Sequence, residues 1–138
     1  MHRHVSENVV RIIEKVWGSE EIVASNLNYN YSGKKMNLHK GGCCSTHFHR
    51  FKCETFYVLS GHMALQFWEP SGQRTTKILN EGNSLTIDPC TPHRFYGIDD
   101  VIFFECSTYD KPDDSFRIDQ SSKPDKMPET MAEDLGEK

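Results

Sequence analysis

Residues 41–61 read GGCCSTHFHRFKCETFYVLSG. His47, His49, Lys52 and Glu54 crowd together there, between glycines. Imidazole and carboxylate are the side chains that hold Mn, Fe, Ni or Zn. His47 and His49 are two apart, so a strand puts both rings on one face, and Lys52 and Glu54 share a face in the same way. The odd step from His49 to Glu54 requires a turn or strand break between the two pairs. Such a corner can aim His47, His49 and Glu54 at one point. A fourth ligand is expected from GNSLTIDPCTPHRFYG, where Pro89 and Pro92 fix the backbone ahead of His93. The expected cofactor is one divalent ion per chain, held by His47, His49, Glu54 and His93. The ligand types leave Mn, Fe, Zn and Ni open. Of the other histidines, His39 is placed to face either the same cavity or solvent. His62 follows a turn glycine and is expected at the surface, and His2 and His4 near a mobile end.

The elements that must position these groups read as short strands. VVRIIEKVW (in part), EEIVAS, NYNYSGKKMNLHKG, ETFYVLSG, HMALQFWEP, RTTKILNEG, SLTIDP, HRFYGI and VIFFECST are rich in β-branched and aromatic residues. They recur about every ten residues with turns between, which predicts an all-β sandwich or barrel. SENVVRIIEKV offers one helical turn capped by Ser6. From Asp119 the chain has no aromatic residue and is rich in charge and proline, so residues 1–118 are read as the domain and 119–138 as a polar tail. A short helix in PETMAEDLGEK is expected only if it docks on a partner.

The 138 residues fit one domain, with 26% charged residues and a net charge of −4. That balance gives no reason to expect nucleic acid or an anionic membrane as partner. No apolar run approaches the roughly 20 residues of a membrane span, and the N-terminus lacks a signal-type apolar core, so a soluble cytoplasmic protein is the expectation. Five cysteines, two of them adjacent (Cys43 and Cys44), argue for reduced thiols over a disulfide framework. Alternation sets Cys53 opposite Glu54, so it is not read as a ligand. Cys90, beside the His93 turn, is the thiol placed for oxidation.

The stretch from Gly41 to Gly61 resembles the first motif of the cupin superfamily, G-x5-H-x-H-x4-E-x6-G, at Gly41, His47, His49, Glu54 and Gly61. The second motif, G-x5-P-x-G-x2-H-x3-N, is matched at Gly82 and His93, while Asp88, Cys90 and Gly97 replace its proline, glycine and asparagine. The resemblance implies a single double-stranded β-helix, the jelly-roll barrel of cupins. KVWGSEEIVASNLNYNYSGKKMNLHKGG and FFECSTYDKPDDSFRID resemble the cupin domain of bifunctional mannose-6-phosphate isomerases. There Glu105 and Arg117 take the positions of an inward glutamate and an arginine. HFHRFKCE fits H-x-H-x-x-K-x-E and resembles the D-lyxose isomerase branch, with Lys52 at the lysine position.

These likenesses imply an aldose–ketose isomerase acting on a sugar or sugar phosphate through an enediol. A divalent ion would grip both sugar oxygens, and a general acid–base group would serve the two carbons. Glu105 is the candidate base, Lys52 the candidate proton donor, and Arg117 the candidate contact to a phosphate or hydroxyl. Trp17, Tyr29 and Tyr31 could shape the cavity mouth or pack in the core. Two other readings stay open: an Fe(II)-dependent cupin dioxygenase, and a non-catalytic carbohydrate-binding or sensor cupin. A homodimer through the apolar segment VVRIIEKVW is also expected.

Overall fold

A computed structural model of the chain describes residues 4–121 and 126–136, so the expectation for His2 lies outside the described residues. Its strands are β1 (Arg11–Lys15), β2 (Gly18–Asn26), β3 (Tyr31–Leu38), β4 (His47–Phe48), β5 (Glu54–Ser60), β6 (Met63–Trp68), β7 (Arg74–Leu79), β8 (Ser84–Ile87), β9 (His93–Gly97), β10 (Val101–Ser107) and β11 (Phe116–Arg117). One helix follows, α1 (Glu129–Leu135). The strands form two antiparallel sheets, ordered β1-β2-β3-β10-β5-β8 and β11-β4-β9-β6-β7. The all-β jelly roll expected from the sequence is the observed architecture.

The period of two fixes where the core lies. Inward positions of the first sheet are Lys34, Met36 and Leu38 on β3, Glu54, Phe56 and Val58 on β5, and Val101, Phe103 and Glu105 on β10. Register places them in layers: Val101 opposite Leu38, Phe103 opposite Met36, and Glu105 opposite Lys34. The lower layers are apolar and the top layer is charged. The barrel is therefore oil at one end and a polar chamber at the other. Phe56, Phe95 and Phe103 floor that chamber with edge-on ring packing at centroid distances of 5.1–6.1 Å. Each such fully buried side chain contributes about 1.5–3 kcal/mol.

Two sequence expectations are corrected here. Residues 6–10 form no helical turn, so Ser6 caps nothing. Tyr29 is 81% exposed, and Tyr31 is also at the surface, so neither belongs to the core. The short helix in PETMAEDLGEK does form, and its partner is the chain's own second sheet. Met131 is fully buried there, beside Cys43, Ala64 and Tyr96. Gln66, fully buried in β6, donates to the Thr130 carbonyl (3.2 Å) and to Asp134 (2.9 Å).

Candidate metal centre

The site spans both sheets. His47 on β4 pairs in register with His93, the first residue of β9, within the second sheet. The chain then leaves that sheet, turns through residues 49–53, and joins the first sheet at Glu54. The odd spacing read from the sequence is this crossing. One ring nitrogen from each of His47, His49 and His93 lies within 4.8 Å of the others, a group that could hold a metal ion.

The orientation of these rings is set by their other nitrogens. Nδ1 of His47 donates to the Ser45 carbonyl at 2.7 Å, Nδ1 of His49 to the Asp114 carbonyl at 2.7 Å, and Nδ1 of His93 to the Thr91 carbonyl at 2.8 Å. A carbonyl only accepts, so each Nδ1 carries a proton, and a ring in its neutral form then turns the lone pair on Nε2 inward. Burial, then the neighbouring His93, pushes the His47 imidazole down to about 4, which keeps it neutral at physiological pH. Burial also opposes charge on His49, but Glu54 beside it outweighs this and raises its pKa.

Glu54 supplies the test of fit. Its oxygens lie 3.2 Å from Nε2 of His93 and 3.2 Å from Nε2 of His49. Burial disfavours its charge, yet His49, His93 and Lys52 hold its carboxyl well below the usual range. An ionised carboxylate and neutral imidazoles protonated at Nδ1 turn only acceptors toward one another here, and the donor nearby is the Lys52 ammonium, 3.4 Å from Oε2. Oε2 is also buried without a hydrogen bond. A cation at this point resolves the arrangement, so the residues fit a divalent metal.

Beside the histidines lies a buried charge network. Lys52 is not the solvated turn lysine its position would allow. Its ammonium lies 3.0 Å from Glu105 Oε2, 3.3 Å from Asp110 Oδ1 and 3.4 Å from Glu54 Oε2. Lys34 closes the network on Asp110. Burial opposes the Lys52 charge, but Glu105, Glu54 and Asp110 outweigh it and hold the ammonium protonated. Glu105 feels burial and then the Glu54 charge, and these raise its carboxyl pKa despite Lys52. Asp110 is lowered by Lys52 and Lys34 in spite of burial.

These groups line a cavity of about 280 Å³ together with Trp17, Met36, Cys44 and Phe95. Lys15, Lys111 and Arg117 are also on its lining. The guanidinium of Arg117, on the exposed strand β11, has no hydrogen-bond or ion-pair partner among the described residues. Tyr29 and Tyr31 are not on the wall, which corrects the expectation that they shape the mouth, while Trp17 both lines the cavity and packs edge-on against Phe95. His39 and His62 face solvent, and His62 pairs with Asp99 at 2.7 Å. Burial pushes the Cys44 thiol well up, so this wall group is inert. Cys90 is exposed and takes φ +66°, the left-handed conformation that a glycine at this motif position would supply.

Sequence reading missed three residues. Lys34 carried a signal, since it falls on the inward alternation of GKKMNL. Asp110 and Asp114 carried none, because an acidic residue in STYDKPDDSF has the composition of any solvated loop.

The cupin domain family matches residues 34–104, just over half of the chain. Among solved structures, a variant of oxalate decarboxylase from Bacillus subtilis superposes with a TM-score of 0.72 at 17% identity, over 83% of this chain and 33% of that one. The capsular polysaccharide assembling protein CapF from Staphylococcus aureus gives 0.70 at 14% identity, over 82% of this chain and 32% of that one. The chain spans about a third of the length of either protein, and identities this low speak to fold alone. No curated protein matches the chain significantly in sequence. Among the described residues no helix is long and apolar enough to cross a membrane. With the family match covering β3 to β10 and the two-sheet barrel shared with both structures, this chain belongs to the cupin family.

Proposed function

We propose that this cupin is a metal-dependent aldose–ketose isomerase for a sugar or sugar phosphate, working as a homodimer. The observation that carries this reading is the buried Lys52–Glu105 pair beside the three-histidine group, of which His47 and His49 line the same cavity. Glu54 is read as the fourth ligand. A bound divalent ion would stabilise the negative charge that develops on adjacent sugar oxygens.

The chain's own groups do the rest. Glu105 takes the proton from one sugar carbon and returns it to the neighbouring carbon, as a general base and then a general acid. Its carboxyl pKa is raised, which brings its basicity nearer that of the carbon acid it must serve. Lys52 stays protonated beside it and can donate a hydrogen bond to an oxygen gaining charge. Asp110 and Lys34 fix the Lys52 ammonium in place. The free guanidinium of Arg117 at the mouth suits a phosphate or hydroxyl at the far end of the substrate. The alternative readings, a dioxygenase and a non-catalytic sensor, make no use of a proton-transfer pair at this place.

The test is metal content, then a screen of aldose–ketose pairs with the metal found, on wild type and Glu105→Gln. The expected outcome is near-stoichiometric metal in both, and turnover in wild type only. Turnover that survives Glu105→Gln, or oxygen uptake in place of isomerisation, overturns the reading.

A further inference from the structure

We infer that Asp114 is a positioning residue for the metal centre, holding His49 and the loop behind it from 65 residues away in sequence. Asp114 is the one buried residue between positions 111 and 120, at 3% exposure. Its neighbours Asp113 and Ser115 face solvent. Among the described residues no cation is paired with it.

Its carboxylate is consumed by backbone. Oδ1 accepts from the Arg50 N–H at 2.7 Å, and Oδ2 from the Phe51 N–H at 3.1 Å and the Lys52 N–H at 3.0 Å. Three successive amides converge on one carboxylate, which is how a loop wraps an anion. The same residue's carbonyl accepts the Nδ1 proton of His49. Asp114 thus fixes the tautomer and tilt of one ligand, and the path of the chain from that ligand to Lys52 and Glu54.

The contrast with the other two histidines makes the inference specific. His47 and His93 each donate to a carbonyl two residues back in their own segment. His49 alone depends on a distant part of the chain. The opposite side of its loop is held by the Cys90 N–H, which donates to the His49 carbonyl at 2.6 Å. Removing Asp114 frees one side of this clamp and leaves three amides without their acceptor. Supporting groups behind a ligand typically alter metal affinity by about 10–100-fold.

The inference rests on the metal-centre reading of the three histidines, and on no assumption about turnover. The experiment is titration of Co(II) into wild type, Asp114→Ala and Asp114→Asn, well below the melting temperature of each, with the d–d spectrum recorded. We expect Asp114→Ala to weaken Co(II) binding tenfold or more, with an altered spectrum. Asp114→Asn keeps one acceptor oxygen and should fall between. If Asp114→Ala does not fold, Asp114→Asn decides alone. A folded Asn variant that binds within twofold of wild type, with the same spectrum, overturns the inference and leaves the metal centre standing. Wild type that binds no Co(II) overturns both. Absence of isomerase activity bears on neither.

Discussion

Lys52 shows how one side chain can hold a site together. Its ammonium is shared among Glu54, Glu105 and Asp110, all within 3.4 Å. Breaking a buried ionic network by removing one partner costs about 3–5 kcal/mol, because the remaining charges lose their compensation. Lys52→Met keeps the stem and deletes the charge. It should lower unfolding stability by roughly 3 kcal/mol in urea melts, and Lys52→Arg should lose less. A Met variant as stable as wild type would mean that the carboxylates take up protons at little expense. The candidate ligand histidines were legible in the sequence because their types and spacing are a local property. The network was only half legible. Lys52 and Glu105 were visible through their motif positions. Asp110 and Asp114 reach the site through a loop whose course depends on tertiary packing, and no local pattern records that.

Among the elements, the long strands were readable from alternation and β-branched content, and each of the nine predicted runs falls on one. The two-residue strands β4 and β11 were not, since a period of two needs more than two residues to be seen. β4 exists because β9 and β11 pair with it on either side, Arg117 lying opposite His47. α1 was legible as a helix but not as a docked one. A signal lay in MALQFW: β6 alternates Met63, Leu65 and Phe67 with Ala64, Gln66 and Trp68, and a second face with a single polar residue suits a strand covered on both sides. The cover is pinned by Asp134, which accepts from Arg74 at 2.8 and 2.9 Å and from Thr76 at 2.7 Å. These bonds, the Arg74 pair first, hold the Asp134 carboxyl below its ordinary value. A depressed carboxylate stabilises above its unfolded pKa and loses that contribution as pH falls through the folded one. Docking of α1 should therefore be complete at neutral pH and loosen below about pH 4. Amide exchange in residues 129–135, corrected for intrinsic rate, should report it. Asp134→Asn should flatten the pH dependence and weaken docking throughout. The pair is partly exposed, so the effect is modest and salt-sensitive.

For the whole molecule, the unresolved tension is the free margin of the first sheet. β1 is one of its two edge strands, and Ile12 in it and Val9, Val10 and Val16 beside it are exposed. An apolar edge strand left in water invites pairing with another chain. The homodimer proposed above uses this margin. Sedimentation equilibrium should return twice the 15.9 kDa chain mass at micromolar concentration. Ile12→Lys should return the mass of one chain, with the metal content unchanged. A wild-type monomer at tens of micromolar would remove the dimer from the reading.

β9 carries one more consequence. His93 points into the barrel toward the candidate metal centre, while Arg94 next to it points out, bonding to Gln66 at 2.8 Å and to Thr130 of α1. A single peptide bond separates the reactive chamber from its outer cladding. In this barrel wall there is no neutral exterior behind the chemistry. An engineer who edits the outer surface at Arg94, believing the change remote, would be working on the back of a candidate ligand.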